Sequence, residues 1–231
     1  CVGCGMTSSA ICMDKAYTHA VLDNAGIRTA KHFTIKIHEL DKLDERCGEI
    51  MKAFSFPLYV KPTNAGSSIG VSRAESLDGL KDGIKLAFSH HDKVIVEEAI
   101  VGKEVECAVF GNENPVASIP GEIVPANEFY DFESKYESSS SKTLVPADIS
   151  PEQTEKLRKT AIKAYQALDC SGMSRVDFFV NDDEIVLNEV NTIPGFTDIS
   201  LYPKMMEASG TPYGELIEKL ILLAIDKRKT S

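Results

Sequence analysis

Residues 173–191, MSRVDFFVNDDEIVLNEVN, read as a β-hairpin turning around Asn181 to Glu184. Arg175 and Asp177 are two apart on the first strand and therefore share a face, as do Glu189 and Asn191 on the second. With the turn centred near Asp182 and Asp183, Asp177 falls roughly opposite Glu189. Four polar side chains thus converge on one face, while Val176, Phe178, Val186 and Val190 are expected on the other. Like charges opposed across a sheet are unfavourable unless something neutralises them. Two readings are open. A hard divalent cation is held by oxygens of Asp177, Glu189 and Asn191, or the face is solvated and Arg175 pairs with the acids.

Working outward, strands and helices alternate in both halves of the chain. TSSAICMDKAYTHAVLDNAG reads as one helix, with caps among Thr7 to Ser9 and a stop at Gly26. KHFTIKI and FPLYVK read as strands, LDERCGEIMKAF as a helix, and SLDGLKDGIKLAFSHH as a helix capped by Ser76. KVIVEEAI and EVECAVFG are strands joined by a turn at Gly102. Lys61 ends an apolar strand just before PTNAGSSIGVS, a small-residue loop in which Gly66 and Gly70 would let backbone N–H groups approach phosphate oxygens. An ordinary hairpin turn is the plainer reading of that loop. Residues 127–143, with serines at 138–141, have no period and read as a long mobile loop or lid. PEQTEKLRKTAIKAYQALDC is an amphipathic helix with Pro151 in its first turn. The pattern favours an α+β protein of two sheet-based subdomains. There is no GxGxxG turn and no P-loop.

Composition limits the partners. The chain has 231 residues and a net charge of −10, so no general basic field exists for a nucleic-acid backbone. No apolar run is long enough to span a bilayer, and no signal segment leads the chain. Of the six cysteines only Cys1 and Cys4 form a CxxC, without a second pair at a zinc-site spacing. Reduced thiols in a cytoplasmic protein are expected. The start at Cys1 reads like the interior of a larger protein.

Taken together, GCGMTSSAICMDK, YVKPTNAGSSIGVS, VIVEEAIVGKEVECAVFG, FYDFESKY, GMSRVDFFV and NEVNTIPGFT, in that order, resemble the D-alanine–D-alanine ligases of the ATP-grasp superfamily. The resemblance covers essentially all 231 residues. It implies an ATP-grasp fold with ATP bound between two subdomains, 1–100 and 101–231, and a family N-terminal domain absent from this stretch. It also implies a reaction: ATP converts the D-alanine carboxylate to an acyl phosphate, and the amine of a second D-amino acid displaces phosphate, for peptidoglycan precursor synthesis. Alternatives are a D-alanine–D-serine ligase of the vancomycin-resistance type, and a nucleotide-binding fragment without turnover of its own. The expectation for this stretch alone is Mg·ATP binding with poor ligation.

By the same resemblance Lys15 and Lys61 contact ATP phosphates. Glu97, Glu98, Ala99 and Ile100 form the adenine-binding linker, and Glu104 binds ribose. Ser67 orients the first substrate. Tyr130, Lys135 and Tyr136 lie on the lid, Lys135 reaching the transferred phosphoryl group. Asp177, Glu189 and Asn191 hold two Mg²⁺ ions, which Mn²⁺ can replace. Arg175 and the Gly195 N–H stabilise the oxyanion, and Ser200 and Leu201 contact the second substrate. The family pattern implies a homodimeric parent, with no nucleic acid or membrane partner. Three positions depart from relatives. Ala65 stands where some are acidic, Ile199 where histidine is frequent, and Leu201 where the D-serine type usually has arginine. The last favours D-alanine as acceptor, whereas NEVNTIPGFT and YPKMM lie close to the resistance branch.

Overall fold

The structure, a computed structural model, describes residues 1–124 and 142–230. The first sheet is antiparallel, in the order β1-β4-β2-β3: β1 (His32–Lys36), β2 (Leu58–Pro62), β3 (Ser72–Ala74) and β4 (Lys93–Glu98). Two helices, α3 (Leu43–Ala53) and α4 (Leu77–Phe88), cover one face. Ser76 caps α4 by accepting from the Gly79 N–H at 3.2 Å, as its position predicts. Period-two alternation sends Leu58, Val60, Val94 and Val96 into that core. Tyr59, Lys61 and Glu97 are thereby left on the opposite face, which looks into a cleft.

The second sheet runs β10-β9-β5-β7-β8, with a short β6 (Val116–Ala117) also on β5. Its strands are β5 (Lys103–Gly111), β7 (Gly121–Val124), β8 (Lys142–Leu144), β9 (Gly172–Val180) and β10 (Ile185–Asn191). One face packs Val105, Cys107, Val109, Val176, Phe178 and Leu187 against α5 (Pro151–Ala167). Ser150 and Gln153 form a capping box at the start of α5, with Pro151 in its first turn. Among the described residues the other face is covered at one end only. There Ala108, Phe110 and Met173 lie under α6 (Leu201–Ala208) and α7 (Tyr213–Thr230).

Three local expectations change. The stretch expected as one helix is two, α1 (Met6–Met13) and α2 (Lys15–Asn24). Asp14 breaks it because its carboxylate caps α2, accepting from the N–H groups of Ala16 and Tyr17. Both helices pack on the second sheet's core through Ile11, Cys12, Val21 and Leu22, although the first sheet follows them in sequence. The strands KVIVEEAI and EVECAVFG do not pair: β4 belongs to the first sheet and β5 to the second, and residues 99–102 cross between them. Finally, Val186 lies opposite Phe179, on the polar face of the hairpin and not with Val190. The cause is a bulge between Leu187 and Glu189, described next. The loop expected at 127–143 lies outside the described residues, except that Lys142 and Thr143 belong to β8.

Candidate active site

A cleft of about 1270 Å³ separates the two sheets. Lys15, at the first turn of α2, and Lys61, on β2, enter it from neighbouring elements. The Lys61 ammonium lies 2.6 Å from Glu97 Oε2, and Glu97 in turn has His19 Nε2 3.4 Å from Oε1. Burial alone would lower the Lys61 pKa, but Glu97 beside it outweighs burial and raises it. Burial would likewise raise Glu97, but Lys61, aided by His19, holds it below the usual carboxylate range. Lys15 Nζ is 3.5 Å from Glu189 Oε2 and donates to the Ala65 carbonyl at 3.1 Å. The loop after Lys61 carries Ser67 and Ser68 at φ of 52° and 60°, an unusual backbone for residues other than glycine. Gly70 is required there, since a Cβ on it would stand 2.6 Å from the His90 ring.

The hairpin supplies the acidic wall. A regular ladder from Ile185↔Val180 through Leu187↔Phe178 would place Asn188 opposite Asp177. The bulge inserts one residue, so Glu189 pairs with Asp177 and Asn191 with Arg175. The single extra residue turns Glu189 and Asn191 to the cleft side and leaves Val190 in the core. Asp177 has a second acidic neighbour in register, Glu106 on β5. Arg175 grips Asp177 through Nε (2.8 Å) and Nη2 (2.7 Å). Glu106 Oε2 is 3.2 Å from the same Nε but accepts no hydrogen bond from the described residues, because that N–H is aimed at Asp177. Burial, with Asp177 adding repulsion and Arg175 opposing, pushes Glu106 up to about 8. The Asn191 amide donates to Asp177 Oδ2 at 2.9 Å and to Glu189 Oε1 at 3.4 Å.

This donor set fits a hard cation. Three carboxylates face one arginine and one lysine, one buried carboxylate oxygen is without a hydrogen bond, and the Asn191 amide turned over presents oxygen to the same point. Among the described residues no three His, Cys, Asp or Glu side chains form a ready cage. Asp177, Glu189 and Asn191 would therefore hold Mg²⁺ with waters and ligand oxygens completing its shell, the usual arrangement for that ion.

Residues 21–222 match the family model described as D-ala D-ala ligase C-terminus. A D-alanine–D-alanine ligase of Clostridium novyi (strain NT) is 48% identical over 98% of this chain and 67% of its own length. That of Clostridium acetobutylicum is 49% identical with the same coverages. The chain belongs to the D-alanine–D-alanine ligase family. Among solved relatives, VanG D-Ala:D-Ser ligase from Enterococcus faecalis superposes with a TM-score of 0.88 at 43% identity, covering 96% of this chain and 64% of that one. The D-alanine-D-alanine ligase from Coxiella burnetii gives 0.85 at 38%, covering 99% and 61%. The fold is thus the ATP-grasp fold of these ligases, and the chain spans about two thirds of its relatives' length. The family uses ATP, Mg²⁺ and D-amino-acid substrates.

Of the residues that the family resemblance singles out, Lys15, Lys61, Ser67, Glu97, Glu98, Ala99, Ile100, Glu104 and Glu189 line the one cleft. Arg175, Asp177 and Asn191 join it through Glu189. The side chain of Glu98 is taken by Arg28 at 2.9 Å and by the Lys31 N–H at 2.8 Å. Arg28 also holds Glu184 at 3.0 Å, tying the first sheet to the hairpin turn. Gly195 and Ser200 are neighbours: a Cβ on Gly195 would come within 2.9 Å of the Ser200 hydroxyl. Leu201 follows Ser200 as the first residue of α6, its side chain largely buried with Ala108 and Tyr202. Tyr130, Lys135 and Tyr136 lie outside the described residues. Sequence reasoning missed Glu106 and His19. The alternation in EVECAVFG would have found Glu106, whereas nothing in the helical pattern around His19 names Glu97 as its partner. Among the described residues no helix is long and apolar enough to cross a membrane.

Proposed function

We propose that this chain forms the ATP-binding and catalytic part of a D-alanine–D-alanine ligase that acts through D-alanyl phosphate in peptidoglycan precursor synthesis. The observation that supports this most is the facing of Arg175, Asp177, Glu189 and Asn191 beside a cleft that also receives Lys15 and Lys61. In this reading the two lysines bind ATP phosphates, and the 97–100 segment receives adenine. Glu104 takes the ribose hydroxyls, with Tyr130 beside the nucleotide. Mg²⁺, as two ions or with Mn²⁺ in their place, supplies charge neutralisation for phosphoryl transfer when held by Asp177, Glu189 and Asn191.

Positioning does most of the work in such transfers. A carboxylate oxygen of D-alanine, oriented by Ser67, attacks the γ-phosphorus and ADP leaves, with Lys135 at the transferred group. The amine of the second D-amino acid, seated by Ser200 and Leu201, then attacks the acyl carbon. The oxyanion that forms is met by Arg175 and the Gly195 N–H. It collapses to the amide as phosphate leaves and the nitrogen gives up a proton. Water would hydrolyse the acyl phosphate, so the segment carrying Tyr130, Lys135 and Tyr136 is assigned to covering it.

The acceptor is D-alanine in this reading, as the names of the relatives suggest. D-serine is the second reading, favoured by the likeness to VanG. The burial of the Leu201 side chain means that an arginine there would disturb a core as well as an acceptor pocket. Substrate competition is therefore the cleaner test. Phosphate release and product mass are measured on the full-length parent protein with Mg·ATP and D-alanine alone, with added D-serine, and with added D-lactate. The expected result is D-alanine-dependent release with D-alanyl-D-alanine as the main product. Release that ignores D-alanine would contradict the function, and a dominant D-alanyl-D-serine product would overturn the acceptor. A homodimer, the assembly we propose, is checked by light scattering.

A further inference from the structure

We propose that His19 is a positioning residue for the nucleotide site, fixing Lys61 through Glu97; this rests on the reading of Lys61 as a phosphate ligand. Three buried or nearly buried side chains form a line: His19 at 1% exposure, Glu97 at 5% and Lys61 at 15%. The His19 Nε2–Glu97 Oε1 separation is 3.4 Å, and that from Glu97 Oε2 to Lys61 Nζ is 2.6 Å. A fourth group sets the direction of the line. His32 Nδ1 lies 3.3 Å from the Ala30 carbonyl and 3.3 Å from His19 Nδ1. The hydrogen is placed on the His32 nitrogen, since the carbonyl can only accept, and His19 Nδ1 then shares that hydrogen as a second acceptor. In the neutral ring, which burial favours, the His19 proton then sits on Nε2, facing Glu97. That buried nitrogen makes no hydrogen bond of good geometry among the described residues; Glu97 Oε1, 3.4 Å away, is the acceptor beside it, and closing that short gap is what would hold the carboxylate in place.

The line has a consequence for the two lysines. Lys15 and His19 are four apart on α2 and share a face. The same helix packs Val21 and Leu22 into the second sheet's core, while Glu97 and Lys61 stand on the first sheet. One helix anchored on one sheet therefore sets both phosphate-facing ammonium groups, Lys15 directly and Lys61 through His19 and Glu97.

The test measures Mg·ATP affinity of the 231-residue chain by calorimetry, which needs no turnover, together with melting temperature. His19→Leu is expected to weaken ATP binding about fivefold to tenfold, the scale of one lost hydrogen bond to a charged group. His19→Gln, whose amide N–H reaches to about the place of Nε2, should stay within about twofold of the wild type. In a Glu97→Gln background His19→Leu should add nothing. If His19→Leu does not fold, His19→Asn, too short to reach Glu97, replaces it in the same contrast with His19→Gln. Unchanged affinity in the His19→Leu chain while Lys61→Ala is weakened would overturn the positioning role. So would a loss that persists undiminished in the Glu97→Gln background. If Lys61→Ala itself binds as the wild type does, the phosphate-ligand reading of Lys61 fails, and that outcome is distinct from the other two.

Discussion

Two charged clusters face the same cleft and are balanced differently. Around Lys61 one ammonium meets one carboxylate, with a neutral histidine behind it. Around Arg175 three carboxyl groups, Glu106, Asp177 and Glu189, meet one guanidinium, and Lys15 pairs with Glu189. The first cluster is complete in itself and serves to hold a cation at a fixed place. The second crowds three carboxyl groups around one guanidinium, so that Glu106 is pushed up to about 8 and keeps a buried oxygen without a hydrogen bond among the described residues, which is the state of a site built around something positive. The contrast separates what this chain supplies from what its ligands bring.

The largest break in that contrast would come from removing the bulge. Deleting Asn188 returns Glu189 and Asn191 to the apolar face and turns Val190 outward. The expected outcome is loss of the acidic wall and a fall in melting temperature of roughly 10 °C or more, since polar groups replace a buried valine. Thermal unfolding and nucleotide titration read both. Next in size is Arg175→Ala, which leaves Asp177 and Glu106 without their guanidinium. Turnover should fall about 10²–10³-fold, as for loss of an oxyanion donor, and stability by about 3–5 kcal/mol, as for a broken buried ion pair. An unchanged denaturation midpoint would show that the acids do not depend on it.

The bulge also marks where sequence reasoning stops. Period-two spacing was enough to pair Arg175 with Asp177 on one strand face and Glu189 with Asn191 on another, but it is the bulge that puts the two pairs on the same face of the hairpin. VLNEV contains no glycine or other signal of an inserted residue, so Val186 was expected on the wrong face. The division of strands between two sheets was visible, but the partner of α1 and α2 was not. An amphipathic stripe says that a face is buried and does not say against what. Asp14 between two helices looks from sequence like an ordinary helical residue. Its capping of α2 and its 2.5 Å pair with Lys93 are tertiary facts.

A smaller effect belongs to Lys61. Lys61→Ala should weaken Mg·ATP binding about tenfold. It should also lower the melting temperature, because Glu97 keeps only His19 beside it. Equal melting temperatures would mean that Glu97 does not need the ammonium.

The smallest effect is the pH response of the first cluster. Burial first of all lowers the His19 pKa below its ordinary 6.5. The unfolded chain therefore binds a proton more readily than the folded one. The contribution of neutral His19 is fully present above pH 6.5 and is lost as pH falls through the folded value. Denaturant midpoints taken from pH 7.5 to pH 5 should decline for the wild type and decline less for His19→Gln. Parallel curves would remove this titration from the account.

The difference between a complete cluster and one that awaits a cation is tested most directly by the Mg²⁺ dependence of ATP affinity. Calorimetry with and without Mg²⁺ compares the wild type with an Asp177→Asn, Glu189→Gln double variant. The expected result is a large Mg²⁺-driven gain in ATP affinity for the wild type and little or none for the variant, whose metal-free affinity is as good or better. Equal Mg²⁺ gains in the two proteins would contradict the assignment of the hairpin face as the metal-binding wall of the ATP site.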